Sequence, residues 1–302
     1  GLLMTIDELN RRFGLTSMLM FVEGKGGMPV IEVSNSHCKA RISLQGAQVT
    51  SWVPSGEVEV IWLSSDASFK LGKSIRGGIP VCWPWFGAHE SETDFPAHGH
   101  ARTIFWDVLD TEAMDDGTSV IQFKIVDNEA TRRLWPYSSD LIMTMRFGAA
   151  LEIELLTRNT DNKPFKITQA LHTYFYVGDI GKVRVQGLDG VEYLDKVDDF
   201  AEKTQSGPVT INGEVDRIYR GVSGELVIED ESLGRKIWIA SSGCSTAVVW
   251  NPWSEIAASM GDLDDDDYRK MICVETANAG PETVEVAAGN SYRLEAVYTI
   301  ES

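Results

Sequence analysis

The chain has few cysteines, few histidines and no long apolar run. Its 302 residues contain 5 His and 4 Cys, and the thiols form no C-x-x-C pair. This spacing disfavours a disulfide framework and a cysteine-based metal site. Free thiols fit a reducing cytoplasm, where we expect the protein to work. No stretch approaches the roughly 20 apolar residues of a membrane-spanning helix, and the first residues lack the basic start and apolar core of a signal peptide.

Positive charge is also scarce. The chain has 27 Lys and Arg against 45 Asp and Glu, which gives a formal net charge of −18. Such a surface repels nucleic acid and anionic lipid, so we expect neither as a partner. A small anionic ligand would have to find cations within its own site.

The hydrophobic pattern predicts an all-β protein with a few short helices. Residues 5–13 are predicted to form a helix that begins with a capping box of Thr5 and Glu8, and shorter helices are predicted at 129–135 and 254–260. Alternating or β-branched runs predict strands at 121–126, 141–147, 151–158, 225–230, 236–240 and 292–300. Short connections without a low-complexity linker predict one large antiparallel β-sandwich over residues 25–302, after a helix and lead-in at 1–24.

Two segments combine cations with glycine or aromatic residues. In 76–87, Arg76 precedes two glycines and a rigid run of proline and aromatic residues. An arginine beside aromatic faces suits a sugar, although a buried aromatic cluster would have the same composition. In 98–102, His98 and His100 on a strand would share one face, as in half a metal site. Arg102 would repel a cation there, so an anion or hydroxyl site is favoured, and a purely structural role stays open.

Two further segments place one titratable group in an apolar setting. His172 lies in an aromatic strand, where it is either a core histidine or a catalyst. Glu275 is the only charge in 272–278, and an inward carboxylate usually has a task; pairing with a structural arginine is the alternative. The acidic run 262–267 lacks the glycine and terminal glutamate of an EF-hand, so we predict a solvated loop there and no metal site.

Together these segments resemble the hexose-6-phosphate mutarotase branch of the aldose 1-epimerase family. The matching motifs follow the family order over nearly the whole chain: R-G-G-I-P-V-C-W-P-W-F-G (76–87), H-G-x-A-R (98–102), A-L-H-T-Y-F (170–175), V-G-D-I (177–180), D-R-I-Y (216–219), V-W-N-P-W (249–253) and V-E-T-A-N (274–278). The resemblance implies a galactose-mutarotase-like supersandwich with the sugar across one concave sheet face.

The resemblance also implies the roles of six residues. His172 matches the general acid and Glu275 the general base, which we expect on opposite sides of one pocket as imidazolium and carboxylate. Four residues match positions that contact sugar or phosphate: Arg76, His98, Arg102 and Asp216. The implied activity is the interconversion of the α and β anomers of a hexose 6-phosphate, with glucose 6-phosphate as the first candidate. It needs no metal and no cofactor, and the arginines would supply the local cations.

Three other functions remain open at this stage. A mutarotase for unphosphorylated aldoses would share the acid and base. A carbohydrate-binding or sensing protein without catalysis would share the fold. A glycoside hydrolase usually needs two carboxylates across the scissile bond, whereas the resemblance supplies one carboxylate and one histidine.

Overall fold

The computed structural model describes residues 4–302, and strands dominate them. The strands are β1 Leu19–Glu23, β2 Pro29–Ser34, β3 Cys38–Ser43, β4 Gln48–Pro54, β5 Val81–Cys82, β6 Asp107–Ala113, β7 Ser119–Val126, β8 Ser139–Phe147, β9 Leu151–Asn159, β10 Phe165–Ile167, β11 Gln169–Leu171, β12 Tyr174–Tyr176, β13 Val183–Gln186, β14 Glu192–Asp195, β15 Ala201–Thr204, β16 Val209–Thr210, β17 Val215–Arg220, β18 Leu226–Asp230, β19 Arg235–Ser242, β20 Thr246–Asn251, β21 Met271–Asn278, β22 Val284–Val286 and β23 Ser291–Glu301.

These strands form two large sheets and two small ones. The nine-stranded sheet has the order β16-β13-β18-β19-β23-β9-β8-β7-β6, and the eight-stranded sheet has the order β15-β14-β17-β20-β21-β11-β5 with β12 also on β21. Strands β1 to β4 form a third sheet, and β10 pairs with β22. All pairings between these described strands are antiparallel. The all-β antiparallel architecture predicted from the sequence is thus confirmed, as are the six predicted strands.

Helices are short and few in the described part of the chain. They are α1 Ile6–Phe13, α2 Glu129–Leu134 and α3 Trp253–Ser259, with 3-10 turns at Lys25–Gly27, Ala101–Thr103, Ile180–Lys182, Lys196–Asp198 and Asp267–Lys270. The Thr5 hydroxyl accepts the Glu8 N–H at 3.1 Å and so caps α1, and Leu9 buries its side chain. No helix among residues 4–302 is both long and apolar enough to cross a membrane.

The eight-stranded sheet is covered on both faces. All eight residues of β21 are buried, and side chains alternate between faces along a strand. Ile272 and Val274 therefore join the main core, whereas Cys273 and Ala277 pack in smaller clusters on the other face. Glu275 shares this second face, which we call the site face.

The segment His98–His100 is a turn, so the two imidazoles do not share one face of a strand as half a metal site would require. His98 has a φ of 65°, and Gly99 passes so close to Trp83 that a Cβ there would lie 2.0 Å from the Trp83 carbonyl oxygen. This close approach forces the turn. His100 is buried against the Trp83 ring at a centroid distance of 5.6 Å.

Candidate active site

Strand register brings the predicted acid and base together on the site face. Leu171 pairs with Thr276, and Tyr174 pairs with Cys273. His172 therefore lies across from Glu275, and its Nε2 is 3.6 Å from Glu275 Oε2. The two groups lie side by side, because they occupy neighbouring positions of one antiparallel ladder. The expectation that they face each other across the pocket is wrong.

The pair keeps polar atoms without partners. His172 Nδ1 and Glu275 Oε1 are buried and accept or donate no hydrogen bond within residues 4–302. A buried polar atom left without a partner costs about 1–3 kcal/mol, so such atoms are concentrated where a ligand completes the bonding. The pair is therefore placed to bind hydroxyl or ether oxygens.

Burial sets the protonation of the pair. Burial, followed by the charge of Arg102, lowers the pKa of His172 to about 3. Burial, followed by the charge of Asp216, raises the pKa of Glu275 well above its usual value. Both shifts favour the uncharged forms of the pair in the free protein, a neutral imidazole and a protonated carboxyl. Burial alone therefore does not favour the imidazolium and carboxylate expected for the reaction, since charged forms are disfavoured away from water.

A row of side chains crosses four strands beside the pair. Asp216 is paired with Trp250, Trp250 with Cys273, and Cys273 with Tyr174. The His172 ring stacks on Tyr174 at 5.0 Å and meets the Trp250 ring edge-on at 5.9 Å. Aromatic side chains of this kind offer faces to the C–H groups of a sugar ring.

Arg76 reaches the site but is already paired. Its Nε donates to Asp262 Oδ1 at 3.1 Å, and its Nη1 donates to the Tyr174 hydroxyl at 3.0 Å. The prediction of a solvated acidic loop is therefore wrong for Asp262, the first residue of that run. The neighbouring Leu263 is buried and holds this end of the loop against the protein, while residues 264–266 are exposed as predicted.

Arg102 is a cation without a carboxylate partner among the described residues. Its Nη2 donates to the Ala97 carbonyl at 3.1 Å, and its Nε is buried without a hydrogen bond. No ion pair therefore neutralises its charge among the described residues, and this positive charge is one cause of the lowered pKa of His172.

His98 presents a donor next to the pair. Its Nδ1 accepts the Gly87 N–H at 2.9 Å, so in the neutral ring the hydrogen is on Nε2. Burial lowers the pKa of His98 well below its usual value and favours the neutral ring. The rings of His98 and His172 are 5.5 Å apart.

Sequence reasoning missed Lys196. Its ammonium nitrogen is 3.6 Å from Asp216 Oδ2, and it lies on the 3-10 turn between β14 and β15. The surrounding sequence, D-K-V-D-D at 195–199, has the composition of a solvated surface turn. Asp262 was missed for a similar reason, since a mixed-charge loop does not show in sequence which charge turns inward.

The site also contains donor atoms that could surround a metal ion. Ligand atoms of His172, Cys273 and Glu275 all lie within 4.8 Å of one another, and zinc accepts nitrogen, sulfur and oxygen ligands. However, burial and Glu275 raise the pKa of the Cys273 thiol well above its usual value, so thiolate is disfavoured. The positive charges of Arg76 and Arg102 also disfavour the binding of a metal cation. The donor set therefore fits a resident metal poorly, and the absence of a metal stays a prediction.

Comparisons with protein families and with individual proteins agree with one another. Residues 29–299 match the family described as aldose 1-epimerase. The chain is 42% identical to an Escherichia coli K12 protein over 260 residues, which is 86% of each chain. It is 40% identical to a Salmonella typhimurium LT2 protein over 253 residues, 83% of this chain and 84% of the other. Both relatives are named as candidate glucose-6-phosphate 1-epimerases.

Solved structures show the same fold. The crystal structure of YeaD from Salmonella typhimurium, described as a candidate mutarotase, has a TM-score of 0.90 at 35% identity and covers 96% of each chain. A galactose mutarotase related enzyme from Lactobacillus acidophilus has a TM-score of 0.71 at 14% identity, covering 90% of this chain and 97% of the other. The second likeness concerns the fold alone, and it agrees with the galactose-mutarotase-like sandwich expected from the sequence.

Proposed function

The chain belongs to the aldose 1-epimerase family, and we propose that it interconverts the α and β anomers of a hexose 6-phosphate, with glucose 6-phosphate as the first substrate to test. The observation that carries this proposal is the buried His172–Glu275 pair beside Arg102, whose charge has no carboxylate partner among the described residues. The names of the relatives at 40–42% identity agree with it.

The geometry of the pair suits ring opening. A base removes the proton of the C1 hydroxyl while an acid protonates the ring oxygen, and the C1–ring oxygen bond breaks to give the open aldehyde. Rotation about C1–C2 and the reverse proton transfers close the ring on its other face. Because both oxygens are bonded to C1, an acid and a base 3.6 Å apart can reach them together.

Binding of the substrate's phosphate converts His172 and Glu275 to the forms that act as acid and base. The anion compensates the positive charge of Arg102, which lowers the pKa of His172 in the free protein, so the pKa of His172 rises when the substrate binds. The proton then moves from Glu275 to His172, which gives the acid and base forms. The pair holds one proton before and after this transfer, so no proton is taken up from solvent.

The remaining residues bind the sugar. We assign the phosphate to Arg102, because Arg76 is committed to Asp262 and Tyr174. Arg76 then holds the Tyr174 side chain in place at the wall of the pocket and contacts sugar hydroxyls. His98 Nε2–H donates to a sugar oxygen, and Asp216 accepts from a sugar hydroxyl. An unphosphorylated aldose would leave Arg102 without an anion, which makes that alternative less favourable.

The test is anomer exchange measured by NMR on glucose 6-phosphate and on glucose. The wild type should accelerate exchange of the phosphate ester. His172→Ala or Glu275→Gln should each reduce the rate by about 10²–10⁴-fold, and the double variant should lose little more, because both groups act in one step. His37→Ala, which removes an imidazole bonded to the Asp116 carbonyl on the surface, is the matched control.

Two results would contradict the proposal. Absence of exchange in the wild type would leave a binding or sensing role. Near-normal exchange in either single variant would show that the acid or base is another group.

A further inference from the structure

Lys196 and Asp216 form an ion pair that remains open to a ligand. Their nitrogen–oxygen distance of 3.6 Å exceeds the usual 2.7–2.9 Å of a charge-assisted hydrogen bond. Each side chain keeps about a quarter of its surface exposed, 28% for Lys196 and 23% for Asp216. Burial raises the pKa of Asp216, and the Lys196 charge counteracts this rise. The pair thus places one donor and one acceptor next to each other with bonding capacity unused.

The turn that carries Lys196 is held firmly. Lys203 Nζ lies 2.8 Å from Asp195 Oδ2 and 2.9 Å from Asp198 Oδ2. The Phe200 N–H donates to the Asp195 carbonyl at 2.8 Å. Asp199 and Phe200 adopt φ values of 50° and 60°, which residues with side chains rarely do and which persist only under such constraints. The position of Lys196 over the site is therefore built into this hairpin.

The Lys196–Asp216 ion pair completes a closed series of neighbouring side chains on the site face. The Lys196 nitrogen lies 5.8 Å from the centre of the Phe86 ring. The Phe86 and His98 rings are 5.0 Å apart, and His98 is 5.5 Å from the His172 ring. On the other side, His172 contacts Trp250, which is the ladder neighbour of Asp216. Lys196 and Asp216 thus lie on the site face, close enough for their charges to act on Glu275.

We propose that Lys196, together with Asp216, clamps two neighbouring hydroxyls of the sugar ring and so determines which hexose phosphates are accepted. One hydroxyl accepts a hydrogen bond from the Lys196 ammonium, and the hydroxyl on the adjacent carbon donates to the Asp216 carboxylate. Phe86 offers its ring face to the C–H groups between them. Lys196 is a specificity-determining residue and takes no part in proton transfer. This inference rests on the proposed function, because it assigns a substrate contact within the same site.

The experiment compares glucose 6-phosphate with its 2-deoxy, 3-deoxy and 4-deoxy analogues on the wild type, Lys196→Met and Asp216→Asn. The wild type should discriminate against two analogues that lack hydroxyls on adjacent carbons, by at least about tenfold each in kcat/KM. Lys196→Met should abolish discrimination against one of them, and Asp216→Asn against the other. The loss should be mainly in KM, because the clamp binds substrate and transition state alike.

Controls separate the clamp from other roles of Lys196. Lys236→Met removes a lysine that is likewise paired with carboxylates, at 3.9 Å, on the nine-stranded sheet, and it should change no ratio. Lys196→Arg, which keeps the charge with a different shape, should restore the discrimination only in part. Melting temperatures of all variants verify folding.

Three outcomes would overturn the clamp. The first is unchanged ratios in Lys196→Met. The second is a loss of preference for phosphorylated over free sugar with unchanged deoxy ratios, since Lys196 would then bind the phosphate. The third is discrimination lost at carbons that are not adjacent. If the wild type exchanges no sugar phosphate, the proposed function fails, and calorimetric binding of the same four sugars still decides on the clamp.

Discussion

At the residue scale, His172 and Glu275 titrate as a pair because they lie 3.6 Å apart in a buried site. In the proposed mechanism the active form holds one proton. Binding of a second proton is opposed by the lowered pKa of His172, and loss of the single proton is opposed by the raised pKa of Glu275. We therefore expect kcat/KM for unphosphorylated glucose, where activity is measurable, to be flat across neutral pH. A steep change between about pH 6 and 8 would contradict this assignment.

The charge of Arg102 gives a second prediction at this scale. Arg102 disfavours the imidazolium form of His172, so Arg102→Ala should raise the pKa of His172. The pKa is measured by NMR titration of the histidine ring protons, with His172→Ala to identify the signal. Arg41→Ala, at a surface ion pair with Glu32, should leave it unchanged. An unaltered pKa in Arg102→Ala would show that burial alone controls this imidazole.

The two arginines should differ in their effect on phosphate preference. A hydrogen bond to a charged group contributes about 1.5–3 kcal/mol, and each 1.36 kcal/mol corresponds to about tenfold. Arg102→Ala should therefore reduce the preference for glucose 6-phosphate over glucose at least tenfold, mainly through KM, whereas Arg76→Ala should affect both sugars. If the preference survives both changes, the phosphate lies elsewhere, and Lys73, which lines a cleft together with Asp262, becomes the candidate.

At the element scale, helix α1 depends on its N-cap residue, Thr5. The Thr5 hydroxyl caps the helix, and the Asn10 side chain bonds both the N–H and the carbonyl of Phe21 in β1. We expect Thr5→Ala to lower the free energy of unfolding by about 1 kcal/mol without changing anomer exchange, as measured by urea denaturation and NMR. Thr5→Asn, which keeps a capping oxygen, should be nearly neutral. A loss of exchange in Thr5→Ala would mean that α1 is coupled to the site.

At the scale of the whole molecule, the negative net charge of the protein opposes the binding of a phosphorylated sugar at the site. A net charge of −18 repels an anionic substrate at long range, and salt screens this repulsion over a Debye length of about 10 Å at 0.1 M. The attraction to half-buried Arg102 is screened less. Between about 0.05 and 0.5 M salt, kcat/KM for glucose 6-phosphate should therefore fall by less than about threefold. A steep fall would place the phosphate at the surface.

Much of the fold and part of the site followed from local patterns. Period-2 alternation located strands such as 121–126 and 151–158, because one face of each is buried against the core. Glu275 was recognisable as an inward carboxylate, since it is the only charge in its strand, and it is 2% exposed. The turn at His98–His100 was not recognisable, because it depends on the approach of Gly99 to Trp83.

The sequence by itself determined the β architecture, the family and the likeness of His172 and Glu275 to an acid and a base. Only the tertiary structure decided which charged side chains form ion pairs and which do not. Asp262 neutralises Arg76 from 186 positions away, and Arg102 keeps its charge without a carboxylate partner in the described chain. Lys196, which follows β14, pairs with Asp216 of the adjacent strand β17. These contacts join distant segments through strand register and packing. Burial, which shifts the pKa values of His172 and Glu275, likewise exists only once the sheets have assembled.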